Sequence, residues 1–287
     1  MNFQDSDGSF KLLDSLEIEK DIRVDFCHVP TYMGAAILMR EYLGMTNVKK
    51  VPSEPVKNTF ICALKISARY GLYGHGYESE SGMLKALDIF RLGGLRNFLD
   101  TLPELCPEFH SLIWEWIDIT DARIMRSGHV HGMWGEEYTD MCKTTIAAIK
   151  PQSRLYCAYG SNMSSSQLLE RCPDAIRIGS AVIEDWKLSF HYKADIEPSA
   201  GSKTPAVLWQ ISEEDEKKLD RREGFPKHYI KKNIIINMDG KCVSVMVYVM
   251  TEWKKTHADN AYDKPCEEYL ETIRAGYREA GFDENTL

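Results

Sequence analysis

A short apolar run from Leu155 to Tyr159 breaks at Gly160 into Ser161, Asn162 and Met163. The serine triplet Ser164 to Ser166 then leads into Gln167, Leu168, Leu169, Glu170 and Arg171. This order predicts a buried strand, a polar turn and the capped start of a helix. A strand end and a helix start joined through one glycine crowd several unpaired backbone N–H groups around a single point. Such a point suits a carboxylate, a phosphate or a developing oxyanion. Gly-Ser-Asn is also ordinary chemistry for a tight turn that binds nothing. Spacing alone leaves both readings open.

From Arg154 onward the texture is strand-like: Leu155–Ala158, Ile178–Ile183, Lys187–Tyr192, Pro205–Ile211, Tyr229–Asn237 and Cys242–Met250. Asp239-Gly240 has the chemistry of a hairpin turn. Ser212 caps an acidic helix start, with Asp215 at the position where a capping box carries Glu or Gln. Residues Pro265 to Ala280 form a closing amphipathic helix that stops at Gly281. His191 to Thr204 is polar and reads as a loop over the pocket. Many strands, few helices and no βαβ alternation predict an α+β chain whose sheet is mixed and curled into a small β-barrel. The expected domains are residues 1–150, mainly α-helical and of unknown function, and residues 151–287, the barrel.

Helical runs dominate the first half. Ala35–Leu43 ends at Gly44, and Thr59–Ala68, Ser81–Leu92 and Phe109–Ile119 follow. Tyr70 to Tyr77 interleaves Gly71, Gly74 and Gly76 with aromatics. No Gly-Lys-Ser/Thr follows, so a turn-rich loop is preferred to a phosphate cradle. The densest polar stretch runs from Asp118 to Glu137. His129, His131, Asp118, Asp121 and Glu136 are types that ligate zinc, iron or manganese. A histidine pair with no fixed third ligand is weak ground for a metal, and Arg123, Arg126 and Trp134 would equally make a partner surface. A hydrogen-bonded structural turn is the reading adopted, with no metal assigned.

The chain has 287 residues, a net charge of −8 and a pI near 5.6. This balance argues against a bulk nucleic-acid binder. No apolar run approaches the roughly 20 residues that cross a bilayer, and Met1 to Asp7 lacks the features of a signal peptide. The cysteines at 27, 62, 106, 142, 157, 172, 242 and 266 are scattered. They read as buried, reduced thiols of a cytoplasmic protein.

Glu223 is the candidate catalytic residue. It ends the acidic helix, where a carboxylate gains nothing from the dipole, and Gly224 and Pro226 then turn the chain sharply. Composition alone does not decide whether such a carboxylate is a loop charge or one aimed into a cavity. Asp220, Arg221 and Arg222, which precede Glu223, read as solvated surface.

The pattern as a whole resembles the gamma-glutamyl cyclotransferase (AIG2-like) family. The resemblance rests on Tyr159-Gly160-Ser161-Asn162-Met163 after a strand, an apolar strand with Trp209, Leu219-Asp220 followed by Glu223-Gly224, and Tyr229. Val245–Met250 and Tyr277–Gly281 add to it. The two motifs stand in order, about 60 residues apart. The family often places a second glycine soon after Glu-Gly, where this chain has Lys227-His228. The resemblance implies that Tyr159, Gly160, Ser161, Asn162 and Met163 hold a small γ-glutamyl substrate, with Tyr229 orienting it. It implies that Glu223 is the general acid/base and that no cofactor or metal is required. The product would be 5-oxoproline plus an amine or amino acid. Residues 1–150 match nothing recognisable and are left for a protein partner. The competing reading is a non-catalytic protein that uses the same pocket to bind a small ligand or a partner, as an adaptor or inhibitor.

Overall fold

The computed structural model describes residues 107–129, 135–257 and 264–287. They fall in two units divided after Lys150. The expectations for Ala35–Leu43, Thr59–Ala68, Tyr70–Tyr77 and Ser81–Leu92, and those for His131 and Trp134, lie outside the described residues.

In the first unit, helix α1 spans Pro107–Ser127 and α2 spans Gly135–Ile149. The expected helix over Phe109–Ile119 is contained in α1. Ile113, Trp114, Trp116 and Ile117 form its buried face, recurring at the spacing of one side of a helix. The Trp114 indole donates to His110 Nε2 at 3.2 Å. Past the helix end, Ser127 Oγ donates to the carbonyls of Arg123 and His129, and Gly128 takes φ 78°. The hydrogen-bonded turn expected over Asp118 to Glu137 is thus confined, among the described residues, to Ser127–His129; Asp118, buried, and Asp121, 3.8 Å from Lys150, belong to α1 instead.

The second unit is a mixed five-stranded sheet with helices. Its strands are β1 Ser153–Ala158, β2 Ile176–His191, β3 Lys193–Ser212, β4 Tyr229–Met238 and β5 Lys241–Met250. They lie in the order β2-β3-β1-β5-β4. All neighbours are antiparallel except β1 and β5, which run parallel with Tyr156 opposite Met246. The sheet does not close into a barrel, which corrects the expectation. Closure requires the outer strands to exchange backbone hydrogen bonds, and β2 and β4 do not pair. They meet through side chains instead, with the Lys232 ammonium 5.9 Å from the Trp186 ring centre. Curl comes from register shifts in β2 between Arg177 and Gly179 and between Glu184 and Trp186, since an extra residue bends a strand and raises its twist.

His191 to Thr204 is not a loop. Tyr192, at φ 69°, is the turn residue between β2 and β3, and Ser189 pairs with Asp195 and Leu188 with Ile196. Much of the polarity that suggested a loop faces solvent from the strand, as at Glu197 and Lys203, but not all of it. Fully buried Asp195 accepts from the Met250 amide at 2.8 Å and faces the Lys255 ammonium at 3.0 Å. The Asp239-Gly240 hairpin forms as expected, with both residues at positive φ.

Helices α3 Ser165–Arg171, α4 Glu213–Glu223, α5 Glu252–Thr256 and α6 Glu267–Ala280 cover the sheet. The modified capping box at Ser212 is present: the Asp215 amide donates to Ser212 Oγ at 3.1 Å, and the Ser212 amide to Asp215 Oδ2 at 3.3 Å. Gly281 ends α6 in the left-handed region, as the sequence predicts. Among the described cysteines, Cys142, Cys157 and Cys172 are buried free thiols. Cys242 and Cys266 are exposed, contrary to the reading that all were buried. No described helix is long and apolar enough to cross a membrane.

The 3₁₀ turn Ser161–Met163 is held from behind by α6. A Cβ added at Gly276 would stand 2.5 Å from Met163 Cβ and 2.8 Å from the Met163 carbonyl carbon and the Ser164 nitrogen. Backbone atoms cannot step aside as a side chain can. Gly276→Ala is therefore expected to lower stability by about 3 kcal/mol, the upper range for overpacking. The check is a urea midpoint, and an unchanged midpoint would mean that α6 shifts freely off the turn.

Candidate active site

Strand β1 delivers Tyr159 and Gly160 to the start of the 3₁₀ turn. The amides of Met163 and Ser164 donate to the carbonyls of Gly160 and Ser161 at 2.9 and 3.1 Å. This leaves the amides of Ser161 and Asn162 outside the turn's own ladder, as at any helix start. The backbone of Gly160 comes close to β3: a Cβ there would sit 3.1 Å from Ala194 Cβ and 3.6 Å from Tyr269 Oη. Ala194 is the meeting point of two phenols. Its carbonyl accepts from Tyr229 Oη at 3.0 Å, and its amide donates to Tyr269 Oη at 3.2 Å.

Glu223 is the last residue of α4. Gly224 follows at φ 65°, where an added Cβ would come within 2.6 Å of His228 Nδ1. The turn is therefore reserved for glycine by conformation and by space. The helix is fixed to the sheet by a buried ion cluster. Arg154 of β1 meets Glu216 at 2.8 Å, and Lys231 of β4 meets Glu216 at 2.6 Å and Asp220 at 2.8 Å. Tyr248 Oη donates to Asp220 at 2.6 Å. Asp220 is thus an interior anchor, which corrects its reading as surface. The sequence hides this because its partners lie on distant strands.

Asn162 joins the two halves of the candidate site. Its Nδ2 donates to Tyr156 Oη at 2.9 Å and reaches Glu223 Oε1 at 3.4 Å, while Arg171 Nη1 donates to its Oδ1 at 2.5 Å. Burial pushes the Glu223 carboxyl above the usual carboxylate range. The Arg171 guanidinium, the Asn162 amide, Arg222 and Lys193 pull the other way without cancelling the rise. Burial also raises the phenols of Tyr156, Tyr159, Tyr229 and Tyr269, and the Glu223 charge adds to each rise. All four remain neutral near pH 7, as ordinary phenols already do.

Glu223, Tyr159, Gly160, Ser161, Asn162 and Tyr229 line one cavity of about 340 Å³. Met163, expected among them, does not line it. Its side chain is fully buried beneath the turn, against Gly276. The structure adds Tyr156, Arg171, Tyr192, Lys193, Ala194, Arg222, His228, Tyr248, Lys254 and Tyr269. Arg171, Lys193 and Tyr269 gave no signal in the sequence, since a residue ending one helix, starting a strand or opening another helix is ordinary in each place. Elsewhere, His191, Asp195 and Glu197 present ligand atoms within 4.8 Å of one another. The Lys255 ammonium already sits 3.0 Å from Asp195 and 2.7 Å from Glu197, offsetting part of their charge.

The raised Glu223 carboxyl has a stability consequence. The folded state binds more protons than the unfolded state between the ordinary glutamate value and the raised one. Stability contributed by this group is therefore lost as pH rises through that window. Glu223→Gln is expected to match or exceed the wild-type thermal midpoint at about pH 7 and to lose that advantage near pH 4. A large drop in the midpoint at neutral pH would show the charged carboxylate to be stabilising.

The cavity thus brings together one carboxyl raised by burial, neutral phenols and a turn with backbone amides, groups of the kind that acid–base chemistry uses. Residues 156–271 match the family model described as Gamma-glutamyl cyclotransferase, AIG2-like. The chain is 26% identical over 144 residues to the Gamma-glutamylcyclotransferase of Bos taurus, covering 45% of this chain and 73% of that protein. The Homo sapiens protein of the same name matches to the same extent. Among solved structures, a Gamma-glutamyl cyclotransferase superposes with a TM-score of 0.41 at 25% identity, covering 47% of this chain and 83% of that one. The resemblance read from the motifs is thus a family match confined to the C-terminal half.

Proposed function

We propose that residues 151–287 form a domain that cyclises γ-glutamyl compounds, releasing 5-oxoproline and an amine or amino acid. The observation that carries this reading is the meeting of Glu223 with Asn162 of the Gly160 turn at 3.4 Å, in one cavity that both line. The substrate's α-ammonium must lose a proton before its nitrogen attacks the γ-carbonyl. Glu223 takes that proton. Attack forms the ring C–N bond and places negative charge on the former carbonyl oxygen, for which the amides of Ser161 and Asn162 are the nearest unladdered donors. Collapse breaks the bond to the departing nitrogen, to which Glu223 returns its proton; the regenerated carboxylate then takes the second proton from the ring nitrogen and passes it to the departing amine, which leaves as an ammonium. A carboxyl raised toward neutrality is suited to both transfers. Because attack is intramolecular, holding the γ-glutamyl chain in a ring-like pose supplies much of the acceleration. Tyr159 and Tyr229 would orient the chain. We place the protein in the cytoplasm, on the free buried thiols Cys142, Cys157 and Cys172. Residues 1–150 would form a separate module that meets a partner protein.

The test is a panel of γ-glutamyl amino acids and γ-glutamyl amines, with 5-oxoproline quantified. Release from at least some members is expected. Tight binding across the panel with no product would instead favour a ligand-binding module.

A further inference from the structure

The wall of the cavity is strongly cationic. Arg171, Lys193, Arg222 and Lys254 all line it, and Glu223 is the one carboxylate among the lining residues. This opposes the bias of a chain whose net charge is −8. Lys218, Lys231 and Lys255, close by in the same unit, each hold a carboxylate at 3.3, 2.8 and 2.7 Å. Among the described residues, none of the four cavity cations has a carboxylate within ion-pair distance. Two of them are nonetheless positioned. Arg171 is tied to Asn162, and the Lys193 ammonium lies 4.0 Å from the Tyr269 ring centre. Arg171 and Arg222 also line a second cavity of about 290 Å³, there together with Lys218, Gln167 and the carboxylate of Glu170. Glu223, on which Arg171, Arg222 and Lys193 all act, offsets one of the four charges, and keeping the remaining surplus together is costly unless an anion completes the set.

The charges of a γ-glutamyl compound decide where that anion belongs. The glutamyl head carries one ammonium and one carboxylate, which cancel. A leaving half with a single carboxylate would still leave the wall positive. We propose, resting on the cyclising reading above, that the leaving half is an acid bearing two or more negative groups, held by Arg171, Arg222, Lys193 and Lys254. Guanidinium forks suit carboxylate and phosphate alike, so either acid satisfies the wall. Alkylamines and the cationic side chain of lysine are the disfavoured leaving halves.

The experiment measures binding by calorimetry at low salt, on full-length Glu223→Gln to prevent turnover. Glu223→Ala serves should the first variant fail to fold. The ligands are γ-glutamyl-glutamate, γ-glutamyl-O-phosphoserine, γ-glutamyl-alanine and γ-glutamyl-ethylamide. We expect at least one of the first two to bind about tenfold more tightly than γ-glutamyl-alanine, from an added charge-assisted contact. The tighter of the two identifies the acid. Adding Arg222→Ala should bring that ratio toward one, and salt should narrow it. Equal affinities across all four ligands, or tighter binding of the ethylamide, would overturn the inference. Wild-type turnover separates the two claims. Ranked binding without 5-oxoproline sinks the cyclising reading and leaves the acid preference standing. 5-Oxoproline from every ligand at equal affinity does the reverse.

Discussion

Glu223→Gln is expected to reduce 5-oxoproline release by about 10²–10⁴-fold, the usual contribution of a positioned general acid/base. The amide keeps the shape of the side chain and can still meet Asn162, but it neither accepts the substrate's ammonium proton nor returns one. Binding should survive, so the loss belongs in kcat rather than KM. Wild-type activity should rise as pH climbs through the elevated carboxyl value, because the base must be ionised before it can act. Activity in the variant equal to wild type would remove Glu223 from the chemistry.

The second large effect concerns the ion cluster beneath α4. Glu216 is 2% exposed and meets both Arg154 and Lys231, themselves buried. Glu216→Ala takes the shared anion away from two interior cations. The expected loss is about 3–5 kcal/mol, because breaking a buried pair leaves charge that the interior cannot solvate. Asp220 and Asn233 remain as partial partners for Lys231 and Arg154, so the domain is expected to fold with a much lower urea midpoint. Activity should fall as well, since α4 carries Glu223 at its last turn. A change in midpoint worth less than about 1 kcal/mol would match an exposed pair and contradict the anchoring role.

The sequence made the local elements of the C-terminal half legible. Ser212 with Asp215, Asp239 with Gly240, and Gly281 each encode a cap or a turn through short-range chemistry, and each formed as read. Tyr159, Gly160, Ser161, Asn162, Glu223 and Tyr229 were nameable because two motifs stand in a fixed order. Their convergence on one cavity was not, because it depends on Arg154, Lys231 and Tyr248 drawing α4 onto three different strands. Met163 was misplaced because a motif marks a stretch of backbone without saying which side chains face inward. The barrel was misjudged for a related reason. Alternation predicts strands, while closure depends on whether β2 and β4 come into hydrogen-bonding register, which no local signal encodes. His191 to Thr204 read as a loop since polar residues in a strand look like solvent-facing ones. Asp195 is instead buried and paired with Lys255.

The most direct measurement follows oxygen. Incubating the protein with a γ-glutamyl dipeptide in ¹⁸O-labelled water and weighing the products by mass spectrometry distinguishes ring closure from hydrolysis. Ring closure uses the substrate's own nitrogen as nucleophile, so every molecule consumed should appear as 5-oxoproline without the heavy isotope. Free glutamate carrying ¹⁸O, or an untouched dipeptide, would contradict the account.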